Sequence, residues 1–426
     1  MTRLFGTDGI RGVANADLTP KLAFDLGRAT AAHMLQGQGS LLIGQDTRRS
    51  GDMLVAAVAA GAMSMGTDVD VLGVCPTPAL IHLTASGEYG VGIMVSASHN
   101  PAPDNGLKVV DGRGLKVDDV VEDELESAIR RADEMTGPRN QSLGRMRAAD
   151  EQLEEYVAAR MTIAEAFGFE GRVLVDCANG SAGAVGPRIL AGTGADVDTR
   201  YNEPDGTNIN LDCGATAPQH AARLVAQTGA QLGFALDGDQ LIGIIALDRL
   251  SRGKLPESIV VASVLSNGGL EHALQAAGGR LVRTPVGDKY ILEGMIVSGA
   301  TLGGEKSGHV IIREHADAGD GILTALEVMS IVTRTGRSLG ELAQQIPLFP
   351  QQQRAIHVRH KDQWEADPTF ARAVEDARRS LDGVGRILVR PSGTEPALRI
   401  MVEGEDPARV TAVADELARL ASQRLN

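Results

Sequence analysis

Cysteine, aromatic residues and positive charge are all scarce in this 426-residue chain, and each shortage narrows what it can be. Its three cysteines, Cys75, Cys177 and Cys213, have no CxxC spacing, which argues against a disulfide framework and against a zinc site. Lys and Arg number 41 against 55 Asp and Glu, giving a formal charge of −14. That balance disfavours nucleic acid as a partner, because such affinity comes largely from basic side chains on phosphates. A small anionic substrate remains open, since it needs only a local cationic pocket. No apolar run approaches the roughly 20 residues that span a bilayer. The start, Met1-Thr2-Arg3-Leu4-Phe5, lacks a signal-peptide core, so the reading is cytoplasmic with no membrane partner. Seven Phe, four Tyr and one Trp stand against 51 Gly, which implies a core of small aliphatics and many tight turns. That is α/β character.

What the chain does have is alternation. Thr19-Pro20 reads as an N-cap and first helical position, with Leu22, Leu26 and Ala29 following at helical spacing. A short strand at Leu41-Leu42-Ile43, an Ala-rich helix over 52–65 and strands at Val69 to Val74 and Val91 to Val95 follow. Such order implies mostly parallel sheets with helices on their faces. Helices run into Gly66, Gly194 and Gly229, each a glycine stop before a strand. Polar residues around Gly137-Pro138 predict a linker near 137–150. A second unit opens at Arg172 to Asp176 and closes with Leu232 to Leu236, and a third runs from about 240 to the Pro347/Pro350 region. From about 351, two strands (Arg386 to Arg390, Leu398 to Glu403) with a helix on either side predict a small α+β domain.

Four strings could carry chemistry. Ser96-Ala97-Ser98-His99-Asn100-Pro101 follows a buried strand, at the end where open α/β sheets bind ligands. Ser98 is either a nucleophile presented by the Asn-Pro turn or part of an ordinary Ser/Asn/Pro turn. A hydrolase triad would need a distant partner that the sequence does not indicate. Asp237-Gly238-Asp239 places two carboxylates across a glycine, suited to a hard cation such as Mg²⁺, or is a bare turn. Arg390-Pro391-Ser392-Gly393-Thr394-Glu395-Pro396, with Arg399 beyond, offers hydroxyls, backbone N–H groups and two guanidiniums to a phosphate. Its bland alternative is a hairpin-like turn with two surface arginines. Glu305 and Ser307, in the glycine-flanked loop ending at His309, could hold vicinal sugar hydroxyls. Gly6 to Gly12 is ambiguous, and Lys108 could reach back to Ser98.

Together these strings resemble the α-D-phosphohexomutase family over nearly the whole chain. The resemblance rests on GTDGIRG (6–12), SASHNP (96–101), DNGLK (104–108), VDCANG (175–180), PDGTNIN (204–210), VGDKY (286–290), GEKSGH (304–309) and RPSGTEPALRI (390–400). It implies three related α/β domains with mostly parallel sheets, plus a smaller C-terminal α+β domain, around a central cleft. The corresponding division of the chain is 1–147, 148–238, 239–347 and 348–426. It implies interconversion of glucosamine 6-phosphate and glucosamine 1-phosphate through a phosphoserine at Ser98 and a hexosamine 1,6-bisphosphate intermediate. A mannose or glucose phosphate, or a catalytically impaired sugar-phosphate-binding role, is the alternative. His99, Lys108 and Arg11 match residues around the serine, Glu305 and Ser307 match sugar binders, and Arg390, Ser392, Gly393, Thr394 and Arg399 match the site of the non-reacting phosphate. Mg²⁺ is implied on Ser98, Asp237 and Asp239, and the resemblance leaves room for a homodimer. Two departures concern Lys306 and Lys289, where Gln or Met and Arg are more usual. A larger one concerns the metal loop. Asp237-Gly238-Asp239 runs directly into a helix-like segment, as if a hairpin between two Asp-Gly-Asp repeats had been lost. The third metal carboxylate is then missing.

Overall fold

A computed structural model describes residues 3–6, 8–234, 238–381, 385–392 and 396–426. Its described strands form four sheets of seven, three, four and three strands, in chain order. In the first, the central strands Ser40–Gln45, Val69–Val74 and Tyr89–Val95 are parallel. The strand Asp104–Asp111 then returns antiparallel beside Tyr89–Val95 and pairs Lys108 with Met94. The second sheet is wholly parallel, and the third is parallel except where Val310–Ile312 turns back on Leu302–Gly304. The C-terminal sheet is antiparallel.

The expected helix begins at Pro20 because the Thr19 hydroxyl accepts the Leu22 N–H at 3.2 Å. It packs on Gly51–Ser64 through glycine, since a Cβ at Gly27 would stand 2.2 Å from the Val58 carbonyl oxygen. One continuous apolar core joins the first three units, from Leu72 and Leu80 through Tyr156 and Ile189 to Ile242 and Leu326. The C-terminal unit has its own core around Phe370, Ile400 and Leu417.

Two segments differ from expectation. Within the predicted linker, Met146–Ala148 forms a strand at the far edge of the first sheet, parallel to Val69–Val74. The C-terminal sheet gains a third strand, Gln351–His357, whose polar sequence gave no apolar alternation to read.

Candidate active site

Ser98 stands exposed just past the carboxyl end of Tyr89–Val95, on a turn closed by the Asn100 N–H to the Ala97 carbonyl at 3.1 Å. Its backbone is left-handed, with φ +56°. Such a conformation costs a non-glycine residue about 1–3 kcal/mol and persists only where the surroundings impose it. Here they do. Arg48 is buried beneath the turn and directs all five guanidinium donors at protein acceptors. Nε meets Asp46 at 2.9 Å, Nη2 meets the carbonyls of Ser98 (3.0 Å) and Asn100 (2.8 Å), and Nη1 meets those of Pro101 and Asp104. Asp46 in turn accepts the Ser96 hydroxyl at 2.7 Å, and the Ser98 N–H donates to Ser96 Oγ at 3.1 Å.

Beside the turn lies a cluster of charge. Arg11 donates to Asn100 Oδ1 at 3.2 Å and pairs with Asp8. Asp8 also holds Lys108 at 2.9 Å and pairs with Lys116. Burial alone would raise the Asp8 carboxyl, but Lys108, Lys116 and Arg11 override it and hold it well below the usual carboxylate range. Burial pushes the Lys108 ammonium down, with Asp8 opposing. Desolvation, then Arg11 and Lys108, pushes His99 down. A lowered imidazole pKa favours the uncharged ring, the form that can accept a proton.

The cluster continues into the third unit. Lys116 lies 2.6 Å from Asp288, at the start of the helix Asp288–Ser298. Glu305 accepts the neighbouring Gly287 N–H at 3.0 Å, and burial raises its carboxyl. The exposed Ser307 occupies the tight loop that Glu305 opens. The structure therefore brings Ser98, Arg11 and Lys108 into one hydrogen-bonded neighbourhood, with His99 next in the chain and Glu305 held on the Gly287 N–H that precedes Asp288.

Arg390 and Arg399 sit directly opposite each other on adjacent strands. Both line a cavity of about 180 Å³ shared with Leu265, Gln353 and Arg354. Burial, then Arg399, pushes the Arg390 guanidinium down. Ser392 is buried at the hairpin's start, its N–H donating to the Ala397 carbonyl at 2.8 Å. Gly393 and Thr394 lie outside the described residues.

The metal assignment fares differently. Asp237 lies outside the described residues. Asp239 is 1% exposed, in the first turn of the helix Gly238–Ser251, and its Oδ2 accepts the Asn267 N–H at 2.9 Å. A carboxylate so enclosed joins two helix starts and is poorly placed for an ion that keeps several waters. Among the described residues no group of three His, Cys, Asp or Glu side chains is arranged to hold a metal. Of the residues implied for Mg²⁺, Ser98 and Asp239 are described and Asp237 is not, so the donor set is described only in part.

Sequence reasoning gave no role to Asp8, Asp46, Arg48, Lys116, Asp288 or Asn210. Asp46-Thr47-Arg48 directly follows a buried strand, the same signal that singled out Ser98, and could have been found by it.

Residues 2–136 match the description phosphoglucomutase/phosphomannomutase, alpha/beta/alpha domain I; residues 237–349 match domain III, and 355–420 the C-terminal domain. A phosphoglucosamine mutase of Desulforamulus reducens is 44% identical over 443 residues, covering 99% of each chain. The alignment is longer than this chain's 426 residues, so that relative carries residues this one lacks. Among solved structures, a phosphoglucomutase/phosphomannomutase family protein from Burkholderia thailandensis superposes with a TM-score of 0.81 at 24% identity, covering 100% of this chain and 99% of its own. The Aspergillus fumigatus N-acetylphosphoglucosamine mutase, in complex with GlcNAc-6P and magnesium, gives a TM-score of 0.67 at 17% identity, covering 100% of this chain and 96% of its own. No described helix is long and apolar enough to cross a membrane.

Proposed function

Since the chain belongs to the phosphoglucosamine mutases of the phosphoglucomutase/phosphomannomutase family, we propose that it interconverts glucosamine 6-phosphate and glucosamine 1-phosphate with Ser98 as the phosphoryl carrier. The observation that carries the assignment of Ser98 is its exposed, left-handed turn, pinned by Arg48 beside the Asp8 cluster.

Phosphorylated Ser98 passes its phosphoryl group to the free hydroxyl of the bound monophosphate. The P–Oγ bond breaks, the new P–O bond forms, and the hydroxyl proton passes by way of the His99 imidazole to the departing Ser98 Oγ. Arg11 and Lys108 offset charge on the transferring group, so positioning and electrostatics supply most of the catalysis. The 1,6-bisphosphate then turns in the cleft, and Ser98 Oγ regains a phosphoryl group from the other end while the proton returns. Arg390, Arg399 and Ser392, with Gly393 and Thr394, hold whichever phosphate is not reacting, which is why one cradle serves both directions. Glu305 and Ser307 bind the sugar hydroxyls. The four units implied by the resemblance, at 1–147, 148–238, 239–347 and 348–426, and a cytoplasmic setting belong to the same reading. No step here passes through magnesium: Asp237 lies outside the described residues, and Asp239 Oδ2 accepts the Asn267 N–H.

That observation also favours a second reading, a sugar-phosphate-binding chain with reduced turnover. Incubation with glucose 1,6-bisphosphate followed by intact-mass analysis should add one phosphoryl group, on Ser98, and Ser98→Ala should abolish both this and turnover. A turning-over preparation with no phosphate on Ser98 removes it as the carrier. Glucosamine phosphate should be turned over faster than mannose or glucose phosphate, whereas binding without isomerisation would select the second reading.

A further inference from the structure

The PDGTNIN segment has no part in the chemistry above, yet its last residue reaches the serine loop. Asn210 Nδ2 donates to the carbonyl of Ser98 at 2.9 Å and to that of Asn100 at 3.1 Å. These are the two carbonyls that Arg48 Nη2 also holds. Each oxygen has two lone pairs, and each NH₂ group has two donors in a fixed plane, so the four groups close into one array that leaves neither carbonyl unsatisfied.

We propose that Asn210 is a positioning residue for Ser98: the second unit, through this one amide, fixes the backbone from which the phosphoryl group is handed over. The proposal rests on the reading of Ser98 as the carrier.

Three observations support it. The left-handed φ of Ser98 must be imposed from outside, and Arg48 reaches the carbonyls from within the first unit only. The clamp acts on main-chain oxygens, so Oγ stays free to lose and regain phosphate while the backbone beneath it stays put. Asn210 is itself held firmly. Its φ is +60°, and its N–H donates to the Ala178 carbonyl at 2.9 Å. Asp176 braces that loop through the N–H groups of Ala178 (2.9 Å) and Gly214 (2.8 Å). Of the described non-glycine residues with positive φ, Ser98, Ala178, Asn179, Tyr201, Asn210 and Asp212 belong to the serine turn and the second-unit loops beside it. Strain gathered in this way marks a place the fold over-determines.

Docking of the second unit on the first has separate bonds, Thr47 Oγ1 to the Asn179 carbonyl and the Arg49 N–H to the Gly206 carbonyl. This allows positioning to be separated from docking. Asn210→Ala deletes the donors, and the isosteric Asn210→Asp sets carboxylate oxygen against both carbonyls. Thr47→Val weakens docking alone. In the full chain, hydrogen exchange over 96–103 should quicken about tenfold in either Asn210 variant and stay at the native rate in Thr47→Val. Phosphorylation of Ser98 by glucose 1,6-bisphosphate should slow by about tenfold or more in the Asn210 variants, with KM for the monophosphate within about twofold of native. Unchanged exchange over 96–103 in a folded Asn210 variant overturns the clamp whether or not the chain turns over. Faster exchange with an unchanged phosphorylation rate overturns the positioning role, as does a Thr47→Val chain that behaves like Asn210→Ala. A native chain that never takes up phosphate counts against Ser98 as carrier, while the exchange measurement still decides the clamp.

Discussion

At the serine loop, a buried arginine directs every donor at protein acceptors, so its charge is fully answered before any ligand arrives. At the C-terminal sheet, two arginines face each other across adjacent strands and border a cavity. Like charges directly opposite each other in a sheet cost stability, and a phosphate between them reverses that cost. Arg48 is enclosed beneath a backbone turn, whereas Arg390 and Arg399 border open space. The same residue type therefore meets a closed setting in one place and an open one in the other, and what separates them is the space the fold leaves beside the guanidinium.

That contrast can be broken by mutation. Arg48→Met should leave Asp46 buried without its counter-charge and the carbonyls of Ser98, Asn100, Pro101 and Asp104 each short of one donor, costing about 3–5 kcal/mol in urea unfolding. A loss of a few tenths would mean that water replaces the guanidinium easily. Arg390→Ala or Arg399→Ala should instead raise KM in both directions by roughly one to two orders of magnitude, about 1.5–3 kcal/mol of lost contact. Stability in those variants should hold or rise, because a like-charge pair is relieved. Falling stability with unchanged KM would erase the distinction. The smallest effect concerns His99. Its folded-state pKa lies below the unfolded value near 6.5, so between the two the unfolded chain binds more protons and stability climbs with pH. His99→Gln should flatten that climb in unfolding measured across pH 4 to 8, roughly spanning the unfolded value. An unaltered slope would place the imidazole in bulk-like water.

Local chemistry explains what could be read from the sequence. The Thr19 cap, the left-handed Gly66, Gly194 and Gly229, and the turn after Val95 each depend on neighbours within a few residues. The Met146–Ala148 strand was hidden because all three residues are exposed and its pairing comes from Val69 to Val71, far back in the chain, aided by Arg147 on Asp68 at 2.6 Å. The residue types around Ser98 were legible from the family resemblance, but Asp8 and Arg48 were not. Their roles depend on carbonyls and ammonium groups brought close only by the fold. Asp239 is the opposite case: a metal-like string whose carboxylate the fold uses to join two helix starts.

Lys116 is one ammonium between two carboxylates, Asp8 of its own unit and Asp288 of the third. Burial would lower it, yet the two acids raise it, so it stays charged through the neutral range. Parting the first and third units would break the Lys116–Asp288 pair, while Asp8 would keep Lys108 and Arg11. Charge thus ties the first unit to the third as the shared apolar core does, whereas the C-terminal unit packs around a core of its own.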